Sequence, residues 1–143
     1  MGIESWADAA IGRRAFQRAL WYSAGNLLGD AGSADADLTL LSFAHADGAG
    51  EAVVRARHGH VDEARAAVAC VSEVDGDPVG IRVRGISGTV RACEERYMGR
   101  ATASSTQRDV AFGGAERPAV VRGDACDVTA ESDRIGATTF DIE

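Results

Sequence analysis

Apolar and polar positions recur along this chain with two different periods, and the switches between them mark out its elements. Ile11, Ala15, Phe16, Ala19, Leu20, Leu27 and Leu28 fall at helical spacing and form one apolar stripe; Arg13, Arg14, Gln17 and Arg18 occupy the other side. Ser5 and Asp8 stand at capping-box spacing ahead of that helix, with Asp in the usual place of Glu or Gln. Gly29, Asp30, Gly32 and Ser33 predict its end. Residues 38–45 read as a strand, Asp47, Gly48 and Gly50 as a turn, and residues 51–58 as a second strand. In the latter, Ala52, Val54 and Ala56 alternate with Val53, Arg55 and Arg57, so one face is buried and the other wet.

A second helix is expected over residues 61–74, where Asp62 and Glu63 suit the positive end of a helix dipole. After the turn Asp75-Gly76-Asp77-Pro78, Val79, Ile81 and Val83 alternate strictly with Gly80, Arg82 and Arg84. Gly85-Ile86-Ser87-Gly88-Thr89 leads into a third helix over residues 90–98. The resulting order is helix, strand, strand, helix, strand, helix. It is a ferredoxin-like or RRM-like βαββαβ unit, a two-layer α/β (α+β) sandwich, with an extra C-terminal helix. Only residues 1–4 remain to supply the first strand, which is therefore expected to be truncated. Residues 1–100 form that domain. Residues 101–143 carry eight acidic residues against four arginines and no clear period, which predicts a largely disordered acidic tail with a short strand at residues 119–122.

Composition changes this picture in two ways. There are 22 acidic and 15 basic residues for a net charge of −7, and every basic residue is arginine. An acidic, lysine-free chain suits a high-salt cytoplasm, where a hydrated, self-repelling surface stays soluble. A charge of −7 ordinarily argues against nucleic acid. Salt near 1 M screens charges beyond about 3 Å, so short-range contacts then decide, and arginine's planar fork suits phosphate. No apolar run reaches membrane-spanning length, and no basic-then-apolar leader opens the chain, so the expected location is the cytoplasm, away from membrane. The three cysteines, Cys70, Cys93 and Cys126, include no CxxC pair and read as free thiols.

Catalytic chemistry finds few candidates. His58-Gly59-His60 offers two metal ligands without a third and reads as a turn. No nucleophile elbow or Cys–His pairing is evident, and Glu94 and Glu95 point apart on a helix. Arg55, Arg57, Arg82 and Arg84 are more telling: strand alternation puts all four on the sheet face opposite the apolar alternates, a surface for phosphate or an acidic protein. Pairing with surface carboxylates is the competing structural explanation. Ser87, Gly88 and Thr89, followed by Arg91, offer hydroxyls and backbone N–H groups at a helix start, which suits an anion or simple capping.

Gly85-Ile86-Ser87-Gly88-Thr89-Val90-Arg91 has the turn motif of the archaeal ribonuclease P protein component 2 family, and residues 60–76 and 79–84 around it match in element order and spacing. The chain resembles that family over residues 1–98. The resemblance implies an RRM-like sandwich serving as a protein cofactor of a catalytic RNA, which removes the 5′ leader of precursor tRNA. It implies as partners the ribonuclease P RNA, ribonuclease P protein component 3 and, through the complex, precursor tRNA, and it allows a homodimer within a heterotetramer. The hydrolytic Mg2+ would belong to the RNA, with no cofactor in the protein itself. Members of that family open with a basic segment and a full first strand; this chain opens at Met1-Gly2-Ile3-Glu4, which reads as the end of that strand. The alternative function is a ferredoxin-like regulatory or ligand-binding module that dimerises through its sheet.

Overall fold

The computed structural model describes residues 1–99, 106–122, 125–130, 133–138 and 140–142. The chain divides into two compact units, residues 1–100 and 101–143. In the first, the order is β1 (Gly2–Ser5), α1 (Arg13–Ala36), β2 (Thr39–Ala46), β3 (Ala49–Arg55), α2 (Val61–Ala69), β4 (Glu73–Val74), β5 (Asp77–Arg82) and α3 (Val90–Tyr97). The strands form one antiparallel sheet in the order β2-β3-β1-β5-β4. This is the expected ferredoxin-like sandwich with one extra two-residue strand, β4, at the edge. Residues 73–74, read as the end of the second helix, belong to that strand; α2 stops at Ala69, where Cys70 caps it.

The short first strand holds the middle of the sheet. Gly2 to Ser5 pair with Val79 to Arg82 on one side, and Gly2 to Glu4 with Ala49 to Glu51 on the other. Ile3 is fully buried and meets Phe16, Leu20, Leu40, Ala52, Val68 and Val74 in the main core. Ser5 is therefore the last residue of a strand. Its hydroxyl meets His45 Nε2 at 2.9 Å, and the capping box expected from Ser5 and Asp8 does not form. Gly12 caps α1 with extended backbone instead. The helix also outlasts its expected end: Gly29 leaves helical geometry at φ 75°, ψ 175°, yet helix resumes and runs to Ala36 before Asp37 turns left-handed. A glycine at the kink spares the chain the cost that a Cβ would carry at positive φ.

Pairing between β2 and β3 slips between Leu40 and Ser42. That bulge changes the parity of the strand, so Leu40 and Phe43, an odd number of residues apart, both serve the core. The Phe43 ring lies 5.3 Å from that of Phe16. Asp47 and Gly48 close the β2–β3 hairpin with φ of 52° and 80°, the two positive values of the turn that matches strand twist.

The second unit is a four-stranded antiparallel meander: β6 (Thr106–Phe112), β7 (Ala115–Arg122), β8 (Ala125–Ala130) and β9 (Asp133–Thr138). This corrects the expectation of a disordered tail; the residues expected as its one short strand, 119–122, are the end of β7. Val110, Ala119, Cys126 and Val128 are buried together with Ile142. Each strand contributes so few apolar residues that no single one stands out in the sequence. Only the registered set makes a core.

Candidate nucleic-acid and partner interface

The arginines expected on one open face of the sheet fall into separate settings. Arg55, at the end of β3, reaches Thr39 Oγ1 at 3.4 Å and Asp37 at 3.8 Å. Arg57 lies between Asp35 and Asp37, at 4.0 and 3.9 Å. Both remain more than half exposed; the carboxylate they share, Asp37, lies in the αL turn after α1, and Asp35, which meets Arg57 alone, lies in the helix's last turn. Pairs of this kind are worth about 0.2–1 kcal/mol and leave the guanidinium free to exchange partners.

Arg84 is different, and here the sequence expectation fails. Its guanidinium is largely enclosed, paired with Glu51 on β3 and within 3.4 Å of the Tyr97 carbonyl. Gly2 makes the room: a Cβ there would stand 3.0 Å from Arg84 Nη2. The other oxygen of Glu51 accepts the Gly99 N–H at 3.1 Å. α3 thus sits against the face that was expected to be open, tied by its C-terminal end. Tyr97 completes the tie, its ring occupying the space a side chain at Gly85 would need. The first glycine of the turn motif is therefore a packing requirement of α3.

Arg82 is exposed at the end of β5, opposite Gly2, and among the described residues no carboxylate lies within ion-pair distance of it. In the segment before α3, Thr89 Oγ1 accepts the Ala92 N–H at 3.2 Å, so the hydroxyl caps the helix. Ser87 and Gly88 flank that cap. Arg91 donates to Glu95 at 2.9 Å one turn on, with both side chains largely in water. The structure therefore gathers Arg55 and Arg57 at one end of the sheet, holds Arg84 under α3, and leaves Arg82 and Arg91 outward.

Sequence reasoning overlooked Glu51. Its signal was present: it is the acidic residue of a strand that otherwise carries apolar residues and arginine, in register with Gly2. It also overlooked a stripe on α1. Arg13, Gln17 and Trp21, each four residues apart, reach the outer edge of β2: Arg13 donates to the Leu40 and Leu41 carbonyls, Gln17 bonds Leu40 N–H and Leu38 O, and Trp21 Nε1 donates to Leu38 O at 2.8 Å. No group of three or more His, Cys, Asp or Glu among the described residues could hold a metal ion. His60 contacts Glu63 at 3.6 Å, at the start of α2.

A family model for the Rpp14/Pop5 family matches residues 2–98, the whole of the first unit's secondary structure. The chain belongs to the Rpp14/Pop5 family. Among similar proteins, ribonuclease P protein component 2 of Halorubrum lacusprofundi is 77% identical over 143 residues, all of this chain and 90% of that protein. The protein of the same name from Natronomonas pharaonis is 56% identical over 99% of this chain and 88% of its own. That of Methanosarcina acetivorans is 32% identical over 98 residues, 68% of this chain and 71% of its own. The extent of the Rpp14/Pop5 match and that of the Methanosarcina match are about the length of the first unit; the two haloarchaeal matches take in the meander too. No helix among the described residues is long and apolar enough to cross a membrane.

Proposed function

We propose that this chain is a protein subunit of ribonuclease P, assisting the catalytic RNA in removing the 5′ leader of precursor tRNA. One observation carries the reading: identity of 77% along the full chain to a protein named ribonuclease P protein component 2. The reading places the hydrolytic Mg2+ on the RNA and gives the protein a structural task in the cytoplasm. Its partners are the ribonuclease P RNA, protein component 3 and, through the assembly, precursor tRNA.

The site supports contact through arginine rather than base stacking. The sheet's large aromatic, Phe43, packs on Phe16 in the core, and α3 lies over part of the other face. Arg82, Arg55 and Arg57 offer forked donors to phosphate at short range. The alternative, a ligand-binding module dimerising through its sheet, gains nothing from the first part of the outer edge of β2, where Arg13, Gln17 and Trp21 take backbone groups of Leu38, Leu40 and Leu41. The test is cleavage of precursor tRNA by cognate RNA and partner proteins at high salt, with and without this chain. The chain alone is expected to cleave nothing, and its omission to slow the assembled enzyme. Unchanged cleavage without it would overturn the reading.

A further inference from the structure

Base stacking, which the sheet does not offer, is available on the outward face of α1. Arg18 stands three residues before Trp21 and four before Tyr22, and Gly25 stands four after Trp21 and three after Tyr22, so the four are neighbours on one helix surface. Arg14 extends the row by one turn. Trp21 and Tyr22 are 54% and 74% exposed. Trp21 Nε1 donates to Leu38 O at 2.8 Å, which fixes that ring by one edge and leaves the rest outward. The Tyr22 hydroxyl has no partner among the described residues. Gly25 puts no side chain between the rings, and a Cβ there would meet nothing within 4 Å, so the surface between them is open.

Charge singles out the same surface. The chain holds 22 acidic residues, yet residues 9–29 include none, the longest such run in the sequence. Arg14 meets no carboxylate among the described residues. Arg18 donates to both oxygens of Asp75 at 3.2 Å with both side chains largely in water, a pair weak enough to open for a phosphate. Exposed rings beside arginines suit an unpaired RNA strand: the rings stack on bases, and the guanidinium forks take phosphate. Stacking does not rely on long-range charge, so it persists in molar salt that screens charges beyond about 3 Å. A protein interface has an apolar centre. Here the two rings are bordered by Arg14, Arg18 and Gly25 instead.

Tyr22 also lines a cleft of about 590 Å3 between α1 and residues 70–75. Leu27 and Val71 give it apolar wall, and Asn26, Glu73 and Asp75 give it polar groups. Two carboxylates repel phosphate but accept N–H groups, so the cleft fits the edge of a base and the arginines outside it fit the backbone.

We propose that this face of α1 binds an unpaired segment of the ribonuclease P RNA, one base stacked on Tyr22 with its edge in the cleft and the adjoining phosphates against Arg14 and Arg18. The site rests on the reading of the chain as a ribonuclease P subunit. The test is filter binding of the full chain to radiolabelled cognate ribonuclease P RNA across a range of KCl concentrations, beside cleavage of precursor tRNA by the reconstituted enzyme. Tyr22→Ala is expected to weaken binding about tenfold at every salt concentration, the loss of one base stack. Tyr22→Phe should bind within about twofold of the parent, since it keeps the ring. Tyr22→Leu should bind no better than the alanine variant, because leucine is apolar but has no face to stack on. Arg14→Ala should reduce the salt slope by about 0.7, one phosphate on a single strand, and Tyr22→Ala should leave the slope unchanged. All four variants should melt with the parent, because both side chains lie in water. A parent chain that neither binds the RNA nor raises cleavage would overturn the subunit reading and the site with it. Where the parent does both, undiminished RNA binding by Tyr22→Ala would overturn the site alone. So would Tyr22→Leu binding as the parent does, or a loss of binding to protein component 3 in place of the RNA, which would make this face a protein contact.

Discussion

At Glu51 one carboxylate ties three parts of the first unit together: β3, which carries it, Arg84 beyond β5, and the Gly99 N–H beyond α3. Burial alone would push its pKa up, but the Gly99 N–H and Arg84 outweigh that and hold the carboxyl below its usual value of 4.5. A carboxyl whose folded pKa is depressed stabilises fully above its unfolded pKa, and the contribution is lost as pH falls through the folded one. Glu51→Gln is accordingly expected to cost about 1–3 kcal/mol at neutral pH. Its stability should also decline less steeply than that of the parent as pH drops below 4.5. Chemical denaturation across pH checks both. Arg82 and Arg84 separate two roles that sequence alternation merges. Arg84→Ala is expected to lower the melting temperature, because it strips a largely buried Glu51 carboxylate of its ion-pair partner and leaves it the Gly99 N–H alone. Arg82→Ala should leave melting unchanged while weakening binding to the ribonuclease P RNA and reducing its salt slope by about one. Equal melting losses in the two variants would contradict the assignment. The alternation in residues 79–84 was legible because it depends on strand period alone. That Arg84 turns under α3 was not legible, because it depends on Gly2, Glu51 and Tyr97, residues from three other parts of the chain.

Elements whose cause is local were readable, and those whose cause is a neighbour were not. The Asp47-Gly48 turn announces its hairpin because the twist-matching turn needs two positive φ values. The start of α1 could not be read, since Ser5 and Asp8 fit a helix cap as well as a strand end; burial of Ser5 beside His45 decides. In α1, the polar stripe Arg13, Gln17 and Trp21 looks like a solvated face, yet it covers the start of the free edge of β2, at Leu38, Leu40 and Leu41. An open strand edge invites pairing with another chain. Gln17→Ala removes the acceptor of the Leu40 N–H and one of the bonds to Leu38 O. We expect a loss of about 1–3 kcal/mol together with concentration-dependent association, measured by light scattering at high salt. Destabilisation without association would show that Arg13 and Trp21 protect the edge without Gln17.

At the scale of the whole molecule, charge and relatives both separate the two units. The meander segment, residues 101–143, carries eight acidic residues and four arginines, a net −4 of the total −7. The core of the first unit is built from residues between Ile3 and Val74, with Val79, Ile81 and Val83 packed against it. It is thus complete before residue 101. A chain of about 100 residues can bury enough surface to fold alone, whereas one near 40 residues rarely does without help. A chain ending at Gly99 is therefore expected to unfold cooperatively in molar KCl. Its melting temperature should fall within about 8 °C of the full chain's, the scale of about 1 kcal/mol in a domain of this size. It should also still stimulate precursor tRNA cleavage, because the match to the Methanosarcina relative spans only 98 residues. Residues 101–143 alone are expected to show no cooperative transition. Circular dichroism on both pieces decides it: a first unit that melts without cooperativity, or far below the full chain, would mean that the meander supplies part of its stability.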